Sequence, residues 1–243
     1  MRYAIYFTPP SGDALLKVAG NWLGRSAFSG EPVKVPAIRT LAAEDIVALT
    51  EEPRRYGFHG TLKAPFRLDE TYQESDLLSA LMYFASSSVP FVISRLKLQN
   101  IGPFFALVPE DPVAELNQLA NDVVVSFDRF RAPLRDAEIA KRRPERLSEA
   151  QRQNLDRWGY PYVFDEFRFH MTLTGPVDEK QRPHVERVLD DFFAPVLDDP
   201  VEIANLALFV EPEKGAPFEI HSLHPMTGGT KVSKRSSRAV GRP

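Results

Sequence analysis

His59-Gly60-Thr61-Leu62 and His170-Met171-Thr172-Leu173 are the two stretches that decide how this chain is read. Each lies inside a β-like run, residues 56–68 and 167–177. Alternate residues of a strand point the same way, so His59 and Thr61 share one face, as do His170 and Thr172. Phe58 and Leu62, and likewise Phe169 and Leu173, face the other side. The chain has five histidines, and two of them occupy the same setting. Two imidazoles, each beside a hydroxyl, suit an acid and a base flanking one anion.

Outward from these strings the chain repeats itself. A turn-rich stretch and a helical stretch follow each histidine, ending in the apolar runs 90–98 and 200–208. Ile93, Leu96 and Leu98 map onto Ile203, Leu206 and Leu208 at a shift of 110, and the two histidines are 111 apart. Upstream, residues 3–9 form a strand-like run before a helix over 13–23, with Leu15, Leu16, Ala19, Trp22 and Leu23 on one side. Residues 103–109 form a second such run before a helix over 112–127, where Leu116, Leu119, Ala120, Val123 and Phe127 make the apolar stripe. Pro112 suits the first turn of that helix. Thr71 and Glu74 predict a capping box ahead of Leu77, Leu81 and Phe84. Val185, Val188, Leu189 and Phe192 form the matching stripe, with Pro183 restricting its start.

Each half therefore reads strand, helix, insert, His-x-Thr strand, helix, strand, over about 2–98 and 103–210. Two halves related by a pseudo-twofold predict one bilobal α+β domain over residues 1–225. Its antiparallel sheets would line a central cleft and its helices would cover their outer faces. Residues 226–243 read as a disordered basic tail.

Composition excludes several classes. The chain is 43% hydrophobic and 26% charged, ordinary for a globular protein. It has no cysteine, so neither disulfides nor a thiolate zinc site can form. No apolar run approaches the roughly 18 residues of a membrane span, and residues 1–7 read as a strand rather than a signal peptide. A cytoplasmic protein with no membrane partner is expected. Five of the 30 bases (Lys231, Lys234, Arg235, Arg238 and Arg242) lie in the tail, leaving 25 against 33 acids, a net charge of −8. A body this acidic disfavours a broad nucleic-acid surface and leaves room for a local basic pocket.

Strand alternation extends the candidate site. Lys63 continues the His59–Thr61 row, while Arg168 precedes His170 and Thr174 follows Thr172. Lys63 and Arg168 are placed to bind a second, non-reacting phosphate. The insert over 128–165 reads mostly as a solvated charged helix, with nine bases and six acids through Arg157. Within it the run Lys141-Arg142-Arg143 is the part suited to a phosphate, and Arg54 and Arg55 are further candidates. Tyr3, Tyr6, Tyr56 and Tyr160 are placed to stack on or hydrogen-bond a sugar. His221 and His224 form a His-x-x-His with no evident third ligand, so neither a metal nor a cofactor is expected.

The paired motifs, with the flanks Tyr56-Gly57-Phe58-His59-Gly60-Thr61-Leu62-Lys63-Ala64-Pro65-Phe66 and Phe167-Arg168-Phe169-His170-Met171-Thr172-Leu173-Thr174-Gly175, resemble the 2H phosphoesterase superfamily. That superfamily includes 2′-5′ RNA ligase-like proteins and cyclic nucleotide phosphodiesterases. Together with Trp158-Gly159-Tyr160-Pro161-Tyr162 the flanks look like the branch associated with phosphonate-degradation operons, formerly a domain of unknown function. The resemblance implies metal-independent hydrolysis of phosphodiesters, with His59 and His170 as the catalytic pair and Thr61 and Thr172 as phosphate-binding hydroxyls. It implies a small cyclic sugar phosphate such as 5-phosphoribosyl 1,2-cyclic phosphate as substrate. The alternatives are an enzyme acting on RNA 2′,3′-cyclic ends or 2′-5′ linkages, and a non-catalytic protein that binds a phosphate ligand or RNA.

Overall fold

In the computed structural model, which describes residues 1–229, the repeat takes physical form. The first half contains β1 (Arg2–Phe7), α1 (Ala14–Leu23), α2 (Ala43–Leu49), α3 (Glu51–Tyr56), β2 (Gly60–Phe66), α4 (Glu74–Ser87), β3 (Phe91–Ile93) and β4 (Leu96–Ile101). The second contains β5 (Phe104–Pro109), α5 (Ala114–Phe127), α6 (Asp136–Lys141), α7 (Glu149–Trp158), β6 (Met171–Thr172), α8 (Arg182–Leu197), β7 (Val201–Ile203) and β8 (Asn205–Glu211). A last strand, β9 (Glu219–Pro225), follows. None of the helices among the described residues is long and apolar enough to cross a membrane.

Local chemistry sets the helix ends. Asp13 caps α1 by accepting the Leu16 N–H at 3.1 Å, and Gly24 ends it in the left-handed region at φ 71°. The cap of α4 lies two residues beyond the expected Thr71: Gln73 donates its backbone N–H to Asp76 at 2.8 Å. Thr71 instead closes a turn on Asp69, with its N–H and hydroxyl both bonded to one carboxylate oxygen.

Seven strands form one antiparallel sheet in the order β4-β5-β6-β2-β1-β8-β9, and β3 pairs with β7 in a second. Reading outward from the centre, β6-β5-β4 and β2-β1-β8 are equivalent strands of the two halves. Gly60 faces Met171, its own equivalent at a shift of 111, and Val92 faces Glu202, its equivalent at 110. The pseudo-twofold axis therefore runs through both pairs. The fold is α+β, as the sequence predicts. The two sheets expected to line a cleft are instead joined into one through β2 and β6, whose register is the single pair Gly60–Met171.

The second motif strand is also much shorter than the expected 167–177. Beyond Thr172 the backbone leaves the ladder. Leu173 N–H bonds Phe105 O at 2.9 Å, Gly175 N–H bonds Leu49 O at 2.6 Å, and Val177 N–H bonds Pro103 O at 2.7 Å. The insert 128–165 likewise departs from one long charged helix: α6 and α7 are separated by a 3₁₀ turn at Pro144–Arg146. Pro144 removes a backbone donor there, and Arg143 adopts φ 49°, which no helix continues through.

Tyr3, Ile5, Phe7, Leu206 and Leu208 face the main core under the helices, while Ala4, Tyr6, Ala207 and Phe209 face the other side of the sheet. The halves interlock: α4 packs on β8 and β9, and α8 packs on β4. The indole of fully buried Trp22 on α1 donates to Leu173 O at 2.9 Å, tying the first half to the second motif. The expected tail boundary at 226 is too early. Met226 is buried and its N–H bonds Ala204 O at 2.8 Å, and Gly228 N–H bonds Ser88 O at 2.8 Å. The rest of that expectation lies outside the described residues.

Candidate active site

The pair Gly60–Met171 places the candidate side chains. Flanking residues of an antiparallel pair alternate faces together, so His59 and Thr61 emerge on the same face as His170 and Thr172. Each histidine stands beside the other half's threonine, and the imidazoles lie on a diagonal of roughly 7–8 Å between side-chain bases. Met171 is fully buried on the opposite face. Gly60 has no side chain for a direct reason: a Cβ there would meet the Phe169 ring at 2.4 Å.

Both imidazoles are held alike. His59 Nδ1 donates to Gly57 O at 2.9 Å, and His170 Nδ1 to Arg168 O at 2.8 Å. A backbone carbonyl can only accept, so each neutral ring carries its proton on Nδ1 and keeps an Nε2 lone pair for chemistry. Thr8 fixes the approach by donating to Phe58 O at 2.8 Å. The hydroxyls of Thr61 and Thr172 bond no other described residue and are free for a ligand.

The surroundings of the two histidines differ. Tyr6 stacks on His59 with ring centroids 3.9 Å apart, and Tyr56 and Phe209 each lie 6.0 Å away. His170 has Phe104 at 5.8 Å. Burial pushes His59 down to about 4, opposed by the Gly57 carbonyl and assisted by repulsion from His170. His170 is also lowered, first by burial and then by the Arg168 cation, against the pull of the Arg168 carbonyl.

Tyr6 and Tyr56 flank His59, and Tyr160 lies near enough to these two phenols to interact with both. Burial raises Tyr6 and Tyr160 above the ordinary phenol range, so both hydroxyls stay neutral donors. Gly159, at φ 73°, turns the chain out of α7 and delivers Tyr160 to this cluster. Tyr3 does not join it: its hydroxyl donates to Glu74 at 2.7 Å in the main core.

The remaining candidates separate. Lys63 does not continue the His59–Thr61 row. Tyr6 opposes Thr61 but Ile5 opposes Lys63, a bulge that turns Lys63 towards α5. There its ammonium lies 3.3 Å from Val124 O and 3.2 Å from Asp128, and it is only 4% exposed. Thr174 is likewise structural, its hydroxyl accepting Phe105 N–H at 3.0 Å. The Arg168 side chain is exposed beside a groove that also contains Lys97 and Asn117. Arg142 stacks over the Tyr160 ring at 4.9 Å and lines a cavity with Tyr56, Arg55 and Lys141. Arg143 is exposed and lines no cavity that contains those residues. Arg54 is committed to Leu23 O at 2.6 Å and to Thr50. Among the described residues no cluster of three or more His, Asp or Glu side chains is arranged to hold a metal ion.

One participant went unread in the sequence. Glu211, 1% exposed at the end of β8, accepts from both Arg2 and Arg55 and from Gly215 N–H at 2.9 Å. Its signal was an acid ending the apolar run 206–210 of β8, opposite Arg2 on β1.

Two curated relatives are similar over nearly the whole chain. The ribose 1,5-bisphosphate phosphokinase PhnN of Janthinobacterium sp. (strain Marseille) is 37% identical over 231 residues, covering 93% of this chain and 51% of that protein. The protein of the same name from Laribacter hongkongensis (strain HLHK9) is 36% identical over 244 residues, covering 99% and 56%. The chain thus spans about half the length of the curated relatives it matches. A crystal structure of E. coli LigT complexed with 3′-AMP is similar at 12% identity, covering 93% of this chain and 98% of that one, with a TM-score of 0.40. The family described as "Protein of unknown function (DUF1045)" matches residues 61–219, which include the second His-x-Thr motif and begin at Thr61 of the first, and the chain belongs to it.

Proposed function

We propose that this chain is a cyclic phosphodiesterase that opens a small cyclic sugar phosphate with water, using His59 and His170. One observation carries the reading. Two Nε2 atoms and two unpartnered threonine hydroxyls converge on one sheet face, each imidazole fixed through Nδ1 to a backbone carbonyl. In the reaction, His59 Nε2 takes a proton from water as its oxygen bonds phosphorus. The ester P–O bond breaks, and His170 Nε2–H protonates the departing sugar oxygen. Thr61 and Thr172 donate to the non-bridging oxygens, where charge accumulates. His59 is assigned the base because the tyrosine pocket disfavours its charged form more strongly.

The names of the relatives support a substrate. Opening 5-phosphoribosyl 1,2-cyclic phosphate at the P–O2 bond yields ribose 1,5-bisphosphate, the compound in the relatives' name. The phosphokinase activity in that name belongs to chains about twice as long. No G-x-x-x-x-G-K-[ST] phosphate loop occurs in these 243 residues, so the name is assigned here only to the step after the proposed one.

The test follows phosphorus NMR with 5-phosphoribosyl 1,2-cyclic phosphate and, in parallel, an oligonucleotide with a 2′,3′-cyclic end, both in EDTA. The expected result is conversion of the sugar to ribose 1,5-bisphosphate. His59→Ala and His170→Ala should each lower kcat about 10²–10⁴-fold with the fold retained. Turnover within a few-fold of wild type in either variant, loss of activity on chelation, or action on the oligonucleotide alone would overturn the reading.

A further inference from the structure

One side chain away from His59 lies a cavity of about 700 Å³, in the size range of small-molecule sites. Tyr56 belongs to both: it lines the cavity, and its ring is 6.0 Å from His59. Seven bases and two acids line the walls, a local charge of +5 in a body whose overall balance is acidic. Both acids are already engaged. Glu211 is shared by Arg2 and Arg55, and Glu138 holds Arg67 at 3.2 Å. Lys141, Arg142 and Lys214 have no anionic partner among the described residues, and Arg142 is steadied over Tyr160. A concave wall with this surplus concentrates anions through the field of the whole cluster.

We infer that this cavity anchors a second, unreacting phosphate monoester on the substrate, one sugar away from the ester that His59 and His170 cleave. The inference rests on the cyclic phosphodiesterase reading and adds to it the determinant of substrate choice. The chemistry matches the group. A terminal phosphate carries nearly two charges and three acceptor oxygens, which suit a guanidinium and two ammonium donors. The Glu211 carboxylate draws two guanidinium groups to one wall while neutralising one, so that wall keeps a positive charge. The phenols of Tyr6, Tyr56 and Tyr160 are then left to face the sugar between the two phosphates.

The experiment compares 5-phosphoribosyl 1,2-cyclic phosphate with the same ester lacking the 5-phosphate, in wild type, Arg142→Ala and Lys141→Ala/Lys214→Ala. Lys141 and Lys214 are exposed, so their replacement leaves the fold intact. Each variant should lose about tenfold or more in kcat/KM on the phosphorylated ester and less than about twofold on the other, because charge-assisted bonds are the strong ones. Calorimetry with ribose 5-phosphate should show binding to wild type and to His59→Ala, weakened by Arg142→Ala. Equal turnover of both esters, unchanged by the variants, would overturn the anchor and leave the reaction standing. Binding of ribose 5-phosphate that depends on Arg142, with no ester hydrolysed, would support the anchor and sink the reaction. Faster hydrolysis of a 2′,3′-cyclic-ended oligonucleotide, lost in the same variants, would assign the cavity to an RNA backbone and overturn the proposal.

Discussion

Replacing Gly57 by alanine tests how the first histidine is positioned. Gly57 ends α3 with φ 74° and ψ 176°, a region that essentially only glycine occupies. A Cβ at that position would lie 2.5 Å from the Cβ of buried Ala27. The backbone strain costs about 1–3 kcal/mol and the overpacking a further 1–3 kcal/mol. Gly57→Ala should therefore lose about 2–6 kcal/mol of a total that for most domains is about 5–15 kcal/mol. Urea unfolding would read this as a lower midpoint at unchanged slope. The two causes can be separated. Ala27→Gly removes the clashing methyl and leaves only its Cα, 3.5 Å away. The double variant should recover about 1–3 kcal/mol of coupling energy while the backbone strain persists. Turnover should fall as well, because the Gly57 carbonyl holds Nδ1 of His59. A Gly57→Ala protein within about 0.5 kcal/mol of wild type, the range of an ordinary surface change, would refute this account of the turn.

Three further outcomes follow from how the titratable groups are placed. In kcat/KM the base must be neutral and the acid protonated in the free enzyme. Since His59 is pushed to about 4 and His170 below its ordinary 6.5, the profile should peak on the acid side of 6.5 and fall as pH rises through the pKa of His170. A rate still climbing between about pH 7 and 8 would contradict that ordering of the pair. Lys63→Met should leave KM for the cyclic ester unchanged, because the amine serves Asp128 and Val124 rather than the substrate. The Lys63 amine is depressed by burial to about 8, so between there and its ordinary 10.5 the unfolded chain binds the extra proton. Wild-type stability should rise with pH across that window, and Lys63→Met should flatten the rise.

Much of this fold was legible in the sequence because repetition constrains it twice. The shifts of 110 and 111 are those of the two register pairs on the pseudo-twofold axis. The same-face rule placed His59, Thr61, His170 and Thr172 together because these residues straddle a regular pair. It failed one step further along, at Lys63, because a bulge adds a residue to one strand without any compositional mark. The length of the second motif strand was illegible for a related reason. An extended chain can bond outside a ladder, as residues 173–177 do, while keeping the same residue types. The basic cavity was only half visible. Lys141 and Arg142 are neighbours in sequence, but Arg2, Arg55 and Lys214 reach the same wall from three other places in the chain.

A duplicated half with two His-x-Thr motifs poses a chemical problem for the proposed reaction, which needs one neutral and one protonated imidazole at the same moment. Symmetry alone would give both histidines the same affinity for a proton. The sheet breaks the degeneracy at one position. Tyr6 stands opposite Thr61, and Ala106 stands opposite Thr172. On one side an aromatic ring covers the imidazole at 3.9 Å; on the other a methyl group leaves His170 against Phe104 alone. The difference acts through desolvation, which disfavours the charged form wherever water is displaced. The motifs thus supply two like groups, the neighbouring strands β1 and β5 give them different surroundings, and the proposed reaction would use that difference.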